Sequence, residues 1–184
     1  MERQVSQWEA YLLCALRGSI AEGVRLPCLP CLAFLDEEIL LWNPSCERFD
    51  SETLDPEPYK KLKISLNELK EFIKYSVDQN KQSIIIFGAN WCPDAKFLEA
   101  VMQLPTVKNF LEKYVNILSI DLGEYEINME LFNFFDSDIK DGIPRVFIMD
   151  KRGLNINLDS NDTMRKAREH SAQEIFNYFQ EFIN

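Results

Sequence analysis

The chain has 184 residues, 46% hydrophobic and 27% charged, a globular balance that suits one domain with a sizeable core, or a compact domain plus an extension. Thirty acids against twenty bases leave a formal net charge of −10, which argues against a phosphate-tracking surface and hence against a nucleic-acid partner. No apolar run approaches the length needed to cross a bilayer, so no membrane span is expected.

Val5, Trp8, Leu12, Ala15 and Leu16 recur at helical spacing, which predicts a short amphipathic helix at the start. The apolar stretch 11–16 follows Glu9 and precedes Arg17, a poor signal-peptide core, and the bulky Leu13 before Cys14 argues against lipoprotein cleavage. The chain as written therefore reads as cytoplasmic; one from which a signal segment had been removed, and so periplasmic, would read the same. Apolar stretches 32–35 and 39–42 flank Asp36-Glu37-Glu38, a plausible hairpin, and the acidic run 50–58 carries Pro56 and Pro58, a linker-like composition. The expected organisation is an extension over 1–53 and a folded domain over 54–184.

Five cysteines are present, and four of them, Cys14, Cys28, Cys31 and Cys46, fall in the extension. An odd number leaves at least one thiol unpaired in a monomer, and five is too few for a disulfide scaffold of this size. The Cys28-Leu-Pro-Cys31 spacing suits zinc or a redox dithiol, with Cys14 and Cys46 available to complete a four-thiolate site. A full zinc module usually has two such pairs, so two structural thiols is the preferred reading and no metal is expected.

From about Leu62 the pattern sharpens. Ser65-Leu66-Asn67-Glu68 is a capping box, and Leu66, Leu69, Phe72, Ile73 and Val77 form one helical stripe. Residues 83–87 are a continuous β-branched and aromatic run, the pattern of a strand buried on both faces. Pro93 suits the first turn of a helix that runs through Phe97, Val101 and Met102 to a break at Pro105. Thr106 is expected to cap a helix burying Val107, Phe110 and Leu111, and residues 115–120 to form a second buried strand. A helix through Met129, Leu131, Phe132 and Phe135 precedes a third strand over 146–149. Lys151-Arg152-Gly153 turns the chain toward an expected fourth strand over 154–158. Ser171 and Glu174 cap a closing helix with Ile175, Phe179 and Phe182 inward. This alternation implies an α/β three-layer sandwich.

Cys92 stands out within Trp91-Cys92-Pro93-Asp94-Ala95. It falls at a strand end and a helix start, where unpaired N–H groups and the helix dipole favour a thiolate, the nucleophilic form. Asp94 opposes this and Lys96 is the candidate to offset it. The blander reading is a buried, inert thiol; the strand-to-helix turn favours an exposed one. Gly142-Ile143-Pro144 precedes the third strand, where a proline blocks a ladder bond unless it serves a turn, and a cis Ile143–Pro144 bond accounts for it. His170 reads as a surface residue beside a cap. Phe132, Phe134 and Phe135 read as core. Asp136, Asp138 and Asp141 read as a solvated loop, and the stretch 165–168, Arg-Lys-Ala-Arg, as a solvated face or turn.

The run Ser83-Ile-Ile-Ile-Phe-Gly-Ala-Asn-Trp-Cys-Pro-Asp followed by Gly142-Ile-Pro resembles the thioredoxin superfamily, and more narrowly bacterial thioredoxin-family proteins with a Gly-Ala-x-Trp-Cys-x-x-Cys signature. The resemblance covers about residues 54–184. It implies a thioredoxin-like three-layer sandwich with an N-terminal extension, and a thiol–disulfide oxidoreductase needing no cofactor. Cys92 would be the nucleophile, with substrate held by Trp91, Pro93, Ile143 and Pro144. Partners would be a protein bearing a disulfide or thiol, and a reductant, either a thiol protein or glutathione. Three departures accompany it. Ala95 stands where the family has its resolving cysteine, Ile86 where thioredoxins often have a buried acid, and Ile117 where a lysine would pair with that acid. Ala95 has three accounts: an engineered Cys→Ala change, which is preferred; a natural monothiol enzyme using an external thiol; or resolution by a cysteine of the extension. A non-catalytic binding module with the same groove remains the alternative function, and a metal-linked adaptor built on the extension cysteines is the weakest.

Overall fold

Seven consecutive buried residues form the central strand β1, Gln82–Gly88. The computed structural model describes residues 57–135 and 142–183, all within the compact unit Leu41–Asn184. The opening helix, the hairpin, the four extension cysteines and the acidic loop of Asp136, Asp138 and Asp141 lie outside the described residues.

β1 pairs in parallel with β2, Val115–Asp121, in a register running from Gln82↔Val115 to Gly88↔Asp121. On its other side it pairs antiparallel with β3, Arg145–Met149, from Ser83↔Met149 to Phe87↔Arg145. The sheet order is β2-β1-β3. A parallel neighbour requires a crossover, which two helices supply: α2, Pro93–Met102, and α3, Pro105–Tyr114. Before β1 comes α1, Leu66–Asp78, and after β2 comes α4, Met129–Phe135. The last helix, α5, is Ala172–Phe182. Helix α1 packs on β1 and α4, whereas α2 packs on α3 and α5.

Both capping boxes form as the sequence implies. Ser65 and Glu68 satisfy each other's backbone at the start of α1, and Ser171 and Glu174 do so at the start of α5. The core contains every one of Ile84, Ile85, Ile86 and Phe87 at 0% exposure. Phe87, Phe132, Phe135 and Phe147 meet there as an aromatic cluster, Phe135 stacking on Phe147 at 4.7 Å between centroids. Phe134 departs from the expected core set and is exposed.

Three further expectations are corrected. Thr106 does not cap α3: Leu104 holds the cap position and Pro105 the first helical one, where its missing N–H costs nothing. β2 is not buried throughout, for residues 116–119 are only half-buried. The fourth strand over 154–158 is absent; a single bridge, Met149↔Asn155, is followed by a 3₁₀ turn at Leu158–Ser160. The apolar alternation that suggested it, Leu154, Ile156 and Leu158, points outward and is exposed. A side chain replaces the missing ladder. The Asn157 amide accepts from the Ile148 N–H and donates to the Val146 carbonyl, both at 2.8 Å, while the Val146 N–H donates to the Asn161 carbonyl. The backbone groups along that edge of β3 are thus satisfied without another strand.

Candidate active site

Cys92 is the N-cap residue of α2, in extended conformation, with Pro93 at the first helical position. Its N–H donates to the Ala89 carbonyl and its own carbonyl accepts from Lys96, so the turn from β1 into α2 is closed by backbone alone. The thiol is free. It donates to the Ile143 carbonyl at 3.4 Å, and the Ile143–Pro144 bond is cis. Cys92 is therefore not exposed as expected. Only 5% of it is accessible, because the thiol turns inward onto that carbonyl and joins the core cluster.

The other proposed site residues divide into two groups. Ile143 and Pro144 are buried, the Ile143 carbonyl meets the Cys92 thiol directly, and Ala95 lies fully buried on the next turn of α2. Trp91 and Pro93 are exposed on the outer side. Trp91 donates its indole N–H to the Gly123 carbonyl at 2.6 Å and packs on Tyr125. A cleft of about 70 Å³ beside it is lined by Asn90, Asp121 and Glu124 among others. A larger cavity of about 330 Å³ opens elsewhere, between Lys70, Phe134 and Leu154, and has no bearing on the thiol.

Asp94 does find a cation, though not Lys96, which is exposed. Arg168 comes from a kinked 3₁₀ segment, Thr163–Glu169, that local pattern did not reveal. Its backbone N–H, Nε and Nη2 all donate to the Asp94 carboxylate, at 3.0, 3.2 and 3.1 Å. Burial works against the Asp94 charge, but the hydrogen bonds and charge of Arg168 outweigh it and hold the carboxyl below its usual range. The same segment lays Arg165 over Gly142. That glycine has φ +122°, and a Cβ there would collide with the guanidinium.

Behind Cys92 the structure has a buried polar unit. Ile86 and Ile117 leave the expected acid and lysine positions apolar, but Glu99 of α2 brings a carboxylate into the interior at 9% exposure. Ser119 of β2 donates to it at 2.5 Å. Burial pushes the Glu99 carboxyl up, partly offset by Ser119 and Tyr59. Tyr59 is 1% exposed, and its hydroxyl lies beside Glu99 without an aligned hydrogen bond. Burial first, then Glu99, Cys92 and Asp121, push that phenol far up, so it stays neutral. Asn90, two residues before Cys92, clamps the Tyr59 backbone from both sides: its Oδ1 accepts from the Tyr59 N–H at 3.0 Å and its Nδ2 donates to the Tyr59 carbonyl at 2.7 Å. The Tyr59 ring crosses Gly88, where any Cβ would overlap it. Asn128 similarly ties Leu62 and Ile64 to the Asp121 carbonyl. None of Tyr59, Asn90, Glu99 or Asn128 was singled out by local pattern.

Three comparisons bear on this geometry. No family model matches the chain, and no curated protein matches it. Among solved structures it is similar to the disulphide isomerase from Xylella fastidiosa Temecula1, at 26% identity over 67% of this chain and 95% of that one, with a TM-score of 0.62. The fold is thioredoxin-like. A Pseudomonas aeruginosa protein of unknown function also aligns, at 13% identity over 62% of this chain and 81% of that one, with a TM-score of 0.37 that carries no argument. Among the described residues no helix is long and apolar enough to cross a membrane, and no group of three acidic, histidine or cysteine side chains could hold a metal ion.

Proposed function

We propose that this chain is a thiol–disulfide oxidoreductase that acts on protein disulfides through Cys92, on a three-layer thioredoxin-like domain preceded by an extension. The observation that carries the reading is the position of the Cys92 thiol, at the N-terminus of α2 and 3.4 Å from the Ile143 carbonyl beside Pro144. The similarity to a disulphide isomerase over most of that protein's length supports it.

The Cys92 thiolate attacks one sulfur of a substrate disulfide; a Cys92–substrate disulfide forms, the old S–S bond breaks, and the departing sulfur leaves as a thiolate that takes a proton from water. The backbone beside Ile143 and Pro144 holds the substrate strand, with Trp91 and Pro93 on its outer side. Ala95 has no thiol to complete the exchange. A second thiol, from a protein or glutathione, attacks the mixed disulfide, and the Cys92 thiolate leaves. An engineered Cys→Ala change at Ala95 remains the preferred account of that gap.

The test is reduction of a disulfide-bonded peptide by this chain, by Ala95→Cys and by Cys92→Ser. A large gain with Ala95→Cys, and loss of all turnover with Cys92→Ser, is the expected result. The 5% exposure of Cys92 favours a second reading, a groove that holds an extended partner without turnover. No gain with Ala95→Cys, together with partner capture that survives Cys92→Ser, selects it.

A further inference from the structure

We propose that Arg165 selects the substrate: its guanidinium, laid over Gly142 beside the Ile143–Pro144 edge, favours a protein disulfide whose cysteine has an acidic residue one or two positions away. The inference rests on the reading of Cys92 as nucleophile and names a substrate class for it.

Local sequence gives Arg165 no such place. Arg-Lys-Ala-Arg over 165–168 reads as a solvated face, yet the segment folds as a kinked 3₁₀ turn and lays its first arginine against the backbone. A Cβ on Gly142 would fall 2.2 Å from the Arg165 Nε and 2.4 Å from its Nη2, so the guanidinium fills the space that a side chain would need. Gly142 is bonded to Ile143, whose carbonyl lies 3.4 Å from the Cys92 thiol. One step along the chain is about 3.8 Å between Cα atoms, and a strand rises about 3.3 Å per residue. A substrate strand joined to Cys92 and laid along this edge therefore brings the residue one or two positions from its cysteine up to Gly142 and the guanidinium.

The segment carries a second arginine, and the two are committed differently. Arg168 lies within electrostatic reach of Cys92, but the Asp94 carboxylate accepts from both its Nε and its Nη2. Arg165 is held more loosely: among the described residues its ion pair is with Asp162, at 4.0 Å, and 36% of its side chain is accessible. A guanidinium so placed keeps donors for a carboxylate brought from outside. The molecule as a whole works the other way. Its net charge of −10 repels acidic segments and draws basic ones at long range. A preference for acid at the point of attachment therefore needs a local cation, and its sign separates the two influences.

The experiment is a competition on the full-length chain. Three otherwise identical peptides have Glu, Gln or Lys on both sides of one cysteine, which is joined through a disulfide to a small aromatic thiol. The Cys92 thiolate attacks the peptide sulfur, the new disulfide joins peptide to protein, and the aromatic thiolate leaves with the electron pair. Adducts on Cys92 are quantified by mass spectrometry because four other cysteines are present. Each ratio is divided by the ratio for a small neutral thiol, which removes the peptides' own reactivity. The expected order is Glu over Gln over Lys, with about two- to fivefold between the first two, the span of an exposed ion pair. Added salt brings the three toward parity. Arg165→Gln abolishes the preference and Arg165→Glu turns it toward Lys. Lys166→Gln removes the same charge one residue on, where the side chain turns to Glu169, and keeps the order. A merely structural role for Arg165 would lower all three rates together and leave their ratios alone. Should the Arg165 variants fail to fold, the parent's order and its salt dependence still decide. A parent that shows no preference or favours Lys, or an order that survives Arg165→Gln, overturns this inference alone. A Cys92 that forms no adduct with any of the three peptides overturns the inference and the proposed function together.

Discussion

Asp94 and Glu99 ride on one helix and are shifted in opposite directions. Asp94 lies in the first turn of α2, where the helix dipole favours an anion, and Arg168 grips both of its oxygens. Its carboxyl is held below the usual range. Glu99 lies further along, inside the protein, with hydroxyl partners among the described residues, and burial pushes its carboxyl up. Same helix, same functional group, opposite shift: burial acts against the charge in both, and the presence of a guanidinium decides the sign. The first turn of α2 thus carries a cation-paired acid, and its later part a buried one held by a hydroxyl.

The contrast depends on Tyr59 being seated over Gly88, and the most damaging way to break it is to fill that space. Gly88→Ala places a methyl group inside the Tyr59 ring, which is fully buried and clamped by Asn90, so neither the ring nor its backbone can step aside. The expected cost is about 3 kcal/mol or more, the scale of an overpacked or lost aromatic core residue. It is read as a fall in the urea midpoint. A variant as stable as the parent would mean that Tyr59 does not occupy that position in solution.

A smaller effect separates the two acids by pH. Because the folded-state carboxyl of Glu99 is raised above its ordinary value of 4.5, the folded protein holds that proton longer than the unfolded chain. The stability it contributes is fully present below the unfolded value and is lost as pH rises through the folded one. Glu99→Gln carries no such loss. The variant should therefore gain on the parent as pH rises, by about 1–3 kcal/mol at the upper plateau, the usual penalty for a poorly compensated buried polar group. Paired urea titrations at acid and neutral pH measure it. A constant difference between the two proteins would mean that Glu99 titrates normally.

The residues behind this contrast were not equally legible. Capping boxes, a continuous β-branched run and a proline after a strand are local signals, and α1, β1, α2 and α5 formed where these signals placed them. Gly142-Ile143-Pro144 was legible for the same reason, as a proline out of keeping with the strand that follows it. Tyr59 was not, because its role depends on Asn90, 31 positions away, and no local pattern encodes that pairing. Glu99 reads locally as one more solvated helix acid; only the position of β2 places Ser119 against it. Asn157 was missed in a third way. Leu154, Ile156 and Leu158 have the period of a strand, but a side-chain amide already occupies the edge of β3 that a strand would need. The exposure of Cys92 was misjudged because the inward turn of its thiol is set by the Ile143 carbonyl, 51 positions on.

The smallest expected effect lies at the outer acid. Arg168 is largely exposed, so an ion pair there contributes little to global stability, and its removal should instead act locally. Arg168→Gln leaves Asp94 with the backbone N–H alone, and its charge, no longer offset by a guanidinium, competes with the thiolate for the positive end of the helix. Alkylation of Cys92 at neutral pH should slow by about two- to fivefold, the span that an exposed ion pair supplies. The acid limb of the stability curve should change as well. With its carboxyl lowered in the folded state, Asp94 contributes stability that is present above its ordinary value of 3.8 and is lost as pH falls through the folded one. Arg168→Gln removes the guanidinium hydrogen bonds and the charge that lower it and leaves only the backbone N–H bond, so the parent should lose more stability than the variant between neutral pH and that acid limb. If the two acid limbs coincide while alkylation still slows, Arg168 acts on Cys92 through its own charge and not through Asp94.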